Sequence, residues 1–328
     1  MNSKTIGIVG AGVAGLSSLK HALENGFKPI AYEKSSVLGG LWARGKETGI
    51  WDGMYCNQSY YFMTHSDHRW IQDSYLIASA KNVYDNAVSY GNKFGLQKHI
   101  RFNTQVRNIE KDPKTKKWKV ESEHVITNEK KLDEFDFVMI ASGLHTNPRM
   151  PQIEGSEQFE GLIAHSKSFK LNDERFKDKR VITVGNSWSG ADISTMLVDH
   201  AKSVLNIFKR PFFVTPRICK IKVNRPNLKA NQKCYNILPT DLFVLASKDA
   251  IEIKRDKQKL RNYKKKIGNI LNPEQCDPER SIPELLYNLD NDEEEIRESI
   301  SDNYYPFVKQ NKIQIKKASI KKFEKNGV

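Results

Sequence analysis

The sequence predicts an α/β protein with two doubly wound parallel-sheet domains, the second inserted into the first. Two observations carry this prediction: a strand–glycine loop–helix unit opens the chain, and another such unit begins at Arg180. The length of 328 residues agrees with two domains, because a single hydrophobic core seldom serves a chain of this length. We expect residues 1–152 to form the first domain and 153–312 the second, with a helical insertion. Residues 313–328 are expected to form a strand returning toward the first domain.

The first unit begins with the apolar run Ile6–Val9, which predicts a short buried strand. A GxGxxG spacing follows, and a helical pattern of apolar residues then runs to Gly26. In this motif the first glycine permits a tight turn, the second admits a pyrophosphate, and the third lets helix and strand pack closely. The predicted binding loop consists of Gly10, Ala11, Gly12, Val13, Ala14 and Gly15.

The next strand, Pro29–Tyr32, ends at Glu33. A carboxylate at this place accepts hydrogen bonds from ribose hydroxyls and repels a 2′-phosphate. The first unit is therefore predicted to bind an adenine dinucleotide without a 2′-phosphate, which is either FAD or NAD.

The second unit repeats this dinucleotide-binding (Rossmann-like) pattern, with a strand at Val181–Val184, a loop at Gly185–Gly190 and a following helix. Ser187 replaces the middle glycine but is still small. The next strand ends at Lys209 and Arg210, where the first unit has an acid. Because cations suit a 2′-phosphate, this unit is predicted to bind NADP(H).

Composition excludes several other classes. The four cysteines are scattered without CxxC spacing, which predicts reduced thiols in a cytoplasmic protein with neither a disulfide framework nor a metal site. The net charge of +14 comes from dispersed lysines without interleaved aromatics, so we expect solvated surfaces and no nucleic-acid partner. No apolar run or signal peptide indicates a membrane anchor. The sequence is compatible with a homodimer but does not indicate one.

Other segments give expectations about local structure. Gly53–Trp70 is non-periodic and predicts a covering loop. Helical spacing predicts helices at Ser74–Phe94, Leu238–Ile253 and Lys257–Ile270. The continuous apolar run Phe135–Ala141 predicts a strand at the buried centre of a parallel sheet.

The segment between the two units carries a family resemblance. Phe159–Lys170 resembles the flavin-containing monooxygenase fingerprint, FxGxxxHxxx followed by tyrosine or phenylalanine. The related Baeyer–Villiger monooxygenases have tryptophan where this chain has Phe169. With both glycine loops in order and the Gly39–Trp42 element between them, the resemblance covers nearly the whole chain. Within this fingerprint we expect His165 to have a structural role.

The resemblance implies FAD on the first loop and Glu33, with Gly40, Leu41 and Trp42 along it. It implies NADPH on a second set of residues, namely Gly185, Ser187, Ser189, Gly190, Lys209 and Arg210. It also implies that NADPH reduces the flavin and that one atom of dioxygen passes to the nitrogen or sulfur of a small-molecule amine or sulfide.

Asn57 falls where the family has an asparagine beside the flavin and the nicotinamide. An amide donates a hydrogen bond without titrating, so Asn57 is predicted to be catalytic. The alternative is an asparagine that forms a loop turn.

Two departures from the family pattern bear on function. His68 and Arg69 replace apolar residues on the substrate side, which leaves the substrate class open. The chain ends at Val328, where family members continue, so we expect the closure of the FAD domain to be missing. The alternatives are therefore a truncated, non-catalytic FAD/NADP-binding remnant and a Baeyer–Villiger-type monooxygenase. A flavin-dependent disulfide reductase is disfavoured because its redox cysteine pair is absent.

Overall fold

A computed structural model describes residues 3–43, 49–51, 53–70, 76–210, 212–215, 217–223, 234–239 and 297–328. The chain divides into two compact units. The first comprises Met1–Met54, Thr64–Ser74 and Ala78–Arg149, and the second comprises Tyr55–Met63, Tyr75–Ile77 and Met150–Val328.

The strands of the described residues are β1 (Thr5–Val9), β2 (Lys28–Tyr32), β3 (Tyr55–Ser59), β4 (Ile77–Ser79), β5 (Ile100–Arg101), β6 (Thr104–Lys111), β7 (Trp118–His124), β8 (Lys130–Phe135), β9 (Phe137–Ile140), β10 (Arg180–Val184), β11 (Ser203–Phe208), β12 (Phe212–Thr215), β13 (Ile218–Val223), β14 (Cys234–Pro239), β15 (Arg297–Ile300) and β16 (Ile313–Lys317). The α-helices are α1 (Val13–Glu24), α2 (Ala80–Lys93), α3 (Trp188–Leu197) and α4 (Tyr304–Lys309).

The first unit is organised by a parallel sheet of order β5-β2-β1-β9. Helix α1 follows β1 directly and buries Leu16 and Leu19 against Ile8 of β1 and Tyr90 of α2. Each buried leucine contributes about 1.5–3 kcal/mol, so this core fixes the helix over the strand ends. The loop between β1 and α1 is thereby held at the carboxyl edge of the sheet, where such sheets bind ligands.

A smaller antiparallel sheet of order β6-β7-β8 completes the first unit. Val120 and Phe135 of this sheet pack with Tyr32 at the end of β2, and the two rings meet edge to face. The Tyr32 hydroxyl also donates to Asp133, and Arg101 pairs with the same carboxylate. These contacts anchor the strand that leads to Glu33.

The second unit has a parallel sheet of order β10-β11-β16. Strand β16 pairs with β11 along its whole length, and its Ile313 is buried. The strand predicted within residues 313–328 is thus present, and its predicted course toward the first domain stays a prediction. The alternating pattern of this segment indicates a strand but not its partner, which is β11 of the second unit.

Three local expectations differ from the structure. The predicted loop Gly53–Trp70 contains β3. The predicted helix Ser74–Phe94 begins only at Ala80, after β4, because Ser79 forms a capping box with Asn82 that fixes the helix start.

The third difference concerns the apolar run Phe135–Ala141. Among the described strands, β9 lies at the edge of its sheet, and Ile140 is 62% exposed. An apolar run indicates a strand in a parallel sheet, but it does not specify a central place in it. Of the predicted helices after residue 211, Leu238–Ile253 begins within β14, and the rest of it and Lys257–Ile270 lie outside the described residues.

None of the helices that the structure describes combines the length and the apolar character needed to cross a bilayer.

Candidate functional site: two glycine loops and a buried arginine

The first glycine loop has the backbone that its sequence demands. Gly10 has a φ of 103°, a left-handed conformation that favours glycine, and its N–H donates to the Tyr32 carbonyl at 2.8 Å. A Cβ on Gly15 would lie 1.9 Å from the Gly10 carbonyl oxygen. A side chain at Gly15 would therefore push helix α1 away from the loop.

The Gly39–Trp42 element packs against this loop. The Gly39 N–H donates to the Ala11 carbonyl at 2.9 Å, and a Cβ on Gly40 would lie 2.7 Å from the Gly12 Cα. Beyond this contact, Leu41 is exposed and Trp42 is half-buried. The two glycine-rich backbones form a narrow cradle that side chains would fill, as a bound pyrophosphate requires.

The N-terminus of α1 supplies the electrostatics of the cradle. The helix has Gly12 as its N-cap, and no side chain caps it. The first-turn amides are thus left for a ligand, and the helix dipole favours a negative charge there. These features fit the pyrophosphate of an adenine dinucleotide such as FAD.

Glu33 is buried and stabilises the same loop. Its Oε2 accepts from the Ala11 N–H at 2.9 Å, and its Oε1 accepts from the Ser35 N–H and hydroxyl, each at 2.9 Å. A carboxylate accepts about four hydrogen bonds, so acceptor capacity remains for a ribose hydroxyl. Glu33, which is predicted to bind a ribose, thus also holds the loop in place.

The second glycine loop repeats the geometry of the first. Gly185 has a φ of 93°, and its N–H donates to the Ile207 carbonyl at 2.8 Å. A Cβ on Gly190 would lie 2.3 Å from the Gly185 carbonyl oxygen. Ser187 is the N-cap of α3, its side chain makes no capping hydrogen bond, and Ser189 lies exposed in the first turn. Serine in place of the middle glycine keeps an extended N-cap backbone, with a φ of −81° against −73° at Gly12.

A buried polar network supports the second loop, and sequence reasoning missed it. Asn206 of β11 is fully buried and donates to the Gly185 carbonyl at 3.0 Å and to the Thr183 hydroxyl at 2.9 Å. The Tyr304 hydroxyl donates to Asn206 Oδ1 at 2.6 Å. The asparagine in an otherwise apolar strand was the available signal.

The second glycine loop also offers one hydrogen-bond acceptor to a ligand. The Oδ1 atom of Asn186 is buried and has no partner among the described residues. Lys209 and Arg210 follow β11 directly, and both side chains are exposed. An orphan acceptor, free helix amides and two cations form a donor and acceptor set that fits a dinucleotide with a 2′-phosphate.

Asn57 lies on β3 in the second unit, not in a turn. Its Oδ1 accepts from Arg217 Nη2 at 3.3 Å, a contact that sequence reasoning did not foresee. Arg217 is itself buried, and its Nε donates to the Cys56 carbonyl at 3.0 Å. Burial raises the pKa of the Cys56 thiol to about 12, although the Arg217 charge opposes the rise, so this thiol stays protonated at neutral pH.

The His68 segment lies in the first unit as part of a packed cluster. The His65 and His68 rings both contact Tyr90, with centroid distances of 4.3 Å and 5.6 Å. Burial lowers the pKa of both histidines, which favours neutral rings. Next to them Asp67 pairs with Lys20. This arrangement accounts for His68 as a packing residue of the first unit.

His165 of the fingerprint has a capping geometry. Its Nδ1 accepts from the Lys167 N–H at 3.0 Å, and its carbonyl accepts from the Ser168 hydroxyl at 3.0 Å. The following Phe169 is buried and packs on Phe176. These contacts agree with a structural role for His165.

Comparison with curated proteins finds relatives that belong to one family, the flavin-containing monooxygenases. The chain is 36% identical over 231 residues to flavin-containing monooxygenase 5 of Cavia porcellus, covering 67% of this chain and 43% of that protein. It is 34% identical over 230 residues to flavin-containing monooxygenase 5 of Homo sapiens, covering 66% of this chain and 42% of that protein. The chain thus spans less than half the length of these relatives.

Among solved structures, OTEMO in complex with FAD and NADP matches 99% of this chain and 68% of its own, with a TM-score of 0.67 and 17% identity. That likeness concerns the fold. The sequence model for flavin-binding monooxygenase-like proteins matches residues 3–264. Together with the two glycine loops and the fingerprint, this match shows that the chain belongs to the flavin-binding monooxygenase-like family.

Proposed function

We propose that this chain binds FAD at its first glycine loop and NADPH at its second, and that it oxygenates a soft nitrogen or sulfur of a small molecule. One observation supports this most strongly: two loops of equivalent geometry lie next to strand ends of opposite charge. The first strand end carries Glu33 and the second carries Lys209 and Arg210. Two dinucleotides that differ in a 2′-phosphate fit this contrast.

For FAD, the proposed ligands are the backbone of Gly10–Gly15, the Glu33 carboxylate and the Gly40–Trp42 turn. The loop amides receive the pyrophosphate, and Glu33 receives ribose hydroxyls. Leu41 and Trp42 supply apolar surface along the cofactor. When bound, FAD accepts hydride from NADPH and activates dioxygen.

For NADPH, the α3 N-terminus behind Ser187 and Ser189 receives the pyrophosphate. Gly185 and Gly190 allow the loop to close onto the helix. Lys209 and Arg210 receive the 2′-phosphate through charge-assisted hydrogen bonds. The Asn206 network keeps the loop rigid, which lowers the entropic cost of ordering it on binding.

The substrate class follows from relatives, not from site geometry. Sequence relatives at 34–36% identity are flavin-containing monooxygenases. The fingerprint ends in Phe169, where Baeyer–Villiger enzymes have tryptophan. We therefore favour a tertiary amine or thioether over a ketone as the substrate.

A product assay tests this function. The FAD-loaded protein is given NADPH, dioxygen and either a tertiary amine, a thioether or a cyclic ketone. We expect an N-oxide or S-oxide in proportion to the NADPH consumed, and no lactone. Lactone formation would instead support a Baeyer–Villiger monooxygenase activity.

The Asn57→Leu variant tests the proposed role of Asn57 as a donor to the bound cofactors. We expect the variant to keep much of its NADPH oxidation, because the two glycine loops stay intact. Product yield per NADPH should fall, and hydrogen peroxide should rise. Loss of one buried hydrogen bond costs about 1–3 kcal/mol, so the ratio of peroxide to product should rise roughly five- to 150-fold. A wild-type ratio in this variant would remove Asn57 from the mechanism.

A further inference from the structure

Arg217 connects three parts of the second unit that are distant in sequence. Its Nη2 donates to Asp192 Oδ2 on α3 at 2.5 Å, and its Nη1 donates to Asp302 Oδ2 at 3.1 Å. The same Nη2 reaches Asn57 Oδ1 on β3, and the Nε atom reaches the carbonyl of Cys56. Within the described part of the chain, four of the five guanidinium N–H groups thus have acceptors.

This contact determines the orientation of the Asn57 amide. An arginine side chain has donors and no acceptor, so the Asn57 atom that faces it must be the oxygen. The Asn57 nitrogen then faces away from the guanidinium, and none of the described residues accepts from it. With the opposite rotamer, two donors would face each other and the amide would present its oxygen instead.

The ion pair between Arg217 and Asp192 is costly to bury. This cost argues that the pair serves to orient its neighbours. Arg217 and Asp192 have side chains 8% and 10% exposed. Burial raises the pKa of Asp192, and the Arg217 charge opposes that rise. Buried ion pairs often add little net stability, but a bidentate or branched arginine fixes the orientation of its partners.

We propose that Arg217 is a positioning residue that presents the Asn57 Nδ2 as a hydrogen-bond donor toward NADP(H) bound at the second glycine loop of the same unit. Through Asp192 it ties this donor to α3, the helix that starts at the second glycine loop. The proposal rests on the proposed function of Asn57.

Arg217→Lys is the test substitution, because lysine keeps the charge beside Asp192 but cannot also reach Asn57 as a fork. Arg175→Lys is the matched control, since Arg175 forms a similar fork with Asp173 on the exposed surface of the same unit. Alkylation of Cys56, followed by mass spectrometry, reports whether β3 stays packed. We expect Cys56 to be protected in both variants.

The first readout needs no turnover. In ¹⁵N-labelled, FAD-loaded protein, the Asn57 side-chain NH₂ signals are assigned by their loss in Asn57→Leu. We expect Arg217→Lys to shift these signals and to speed their exchange with water, and Arg175→Lys to leave them in place. Unchanged Asn57 amide signals in Arg217→Lys would overturn the proposal. Exposure of Cys56 in that variant would also overturn it, because it would show a packing role.

The second readout is a double-mutant cycle on hydrogen peroxide released per NADPH. If Arg217 acts through Asn57, Arg217→Lys should uncouple the reaction, and the double variant should match Asn57→Leu within about twofold. Additive effects would contradict the proposal. Uncoupling by Asn57→Leu but not by Arg217→Lys would refute the positioning role alone. Shifted amide signals with normal coupling in Asn57→Leu would refute the catalytic role of Asn57 and leave the orientation standing.

Discussion

The Gly12→Val variant is expected to be purified without flavin. A Cβ at Gly12 would meet the Gly40 Cα at 3.4 Å, an ordinary van der Waals contact, so the effect of this variant rests on its γ-methyl groups. The γ-methyl groups of valine would then occupy the space that a pyrophosphate needs beside the α1 N-terminus. The flavin absorbance of the purified protein, relative to protein concentration, measures the effect.

The equivalent substitution in the second loop serves as the control. Ser187→Val places the same side chain at the N-cap of α3. We expect it to retain wild-type flavin content and to lose affinity for NADPH. Wild-type flavin content in Gly12→Val would refute the assignment of FAD to the first loop.

Lys209→Ala/Arg210→Ala is expected to abolish the preference for NADPH over NADH. Both cations follow β11 at the strand end where a 2′-phosphate would lie. Each charge-assisted contact is worth about 1.5–3 kcal/mol, or roughly ten- to a hundredfold in affinity. Dissociation constants for the two coenzymes, measured by titration, give the result.

A net-charge effect is distinguished by Lys177→Ala/Lys179→Ala, which removes two exposed cations from the same unit. That control should bind NADPH as the wild type does. If the Lys209/Arg210 variant loses NADPH and NADH affinity equally, these residues do not recognise the 2′-phosphate.

The glycine loops could be predicted from sequence because their requirements are local. Gly10 and Gly185 need a left-handed backbone, and Gly15 and Gly190 need the absence of a Cβ. Such demands leave a fixed spacing in the sequence. The charge contrast at the following strand ends was readable for the same reason.

Arg217 could not be predicted, because its role depends on distant segments meeting. Its contact to Cys56 spans 161 residues of sequence, and nothing around Arg217 marks it as buried. The position of β9 at a sheet edge is a similar case, since pairing partners are set by tertiary structure. Asn206 is intermediate: its polar side chain in an apolar strand indicated a buried partner but not which one.

Anaerobic addition of NADPH to the FAD-loaded protein tests the central claim most directly, because it requires both loops to bind their cofactors in a productive geometry. We predict that the visible flavin absorbance bleaches on addition of NADPH, and bleaches much more slowly with NADH at the same concentration. Tightly bound FAD that keeps its absorbance after NADPH has bound would contradict the account and would identify the chain as a non-catalytic dinucleotide-binding protein.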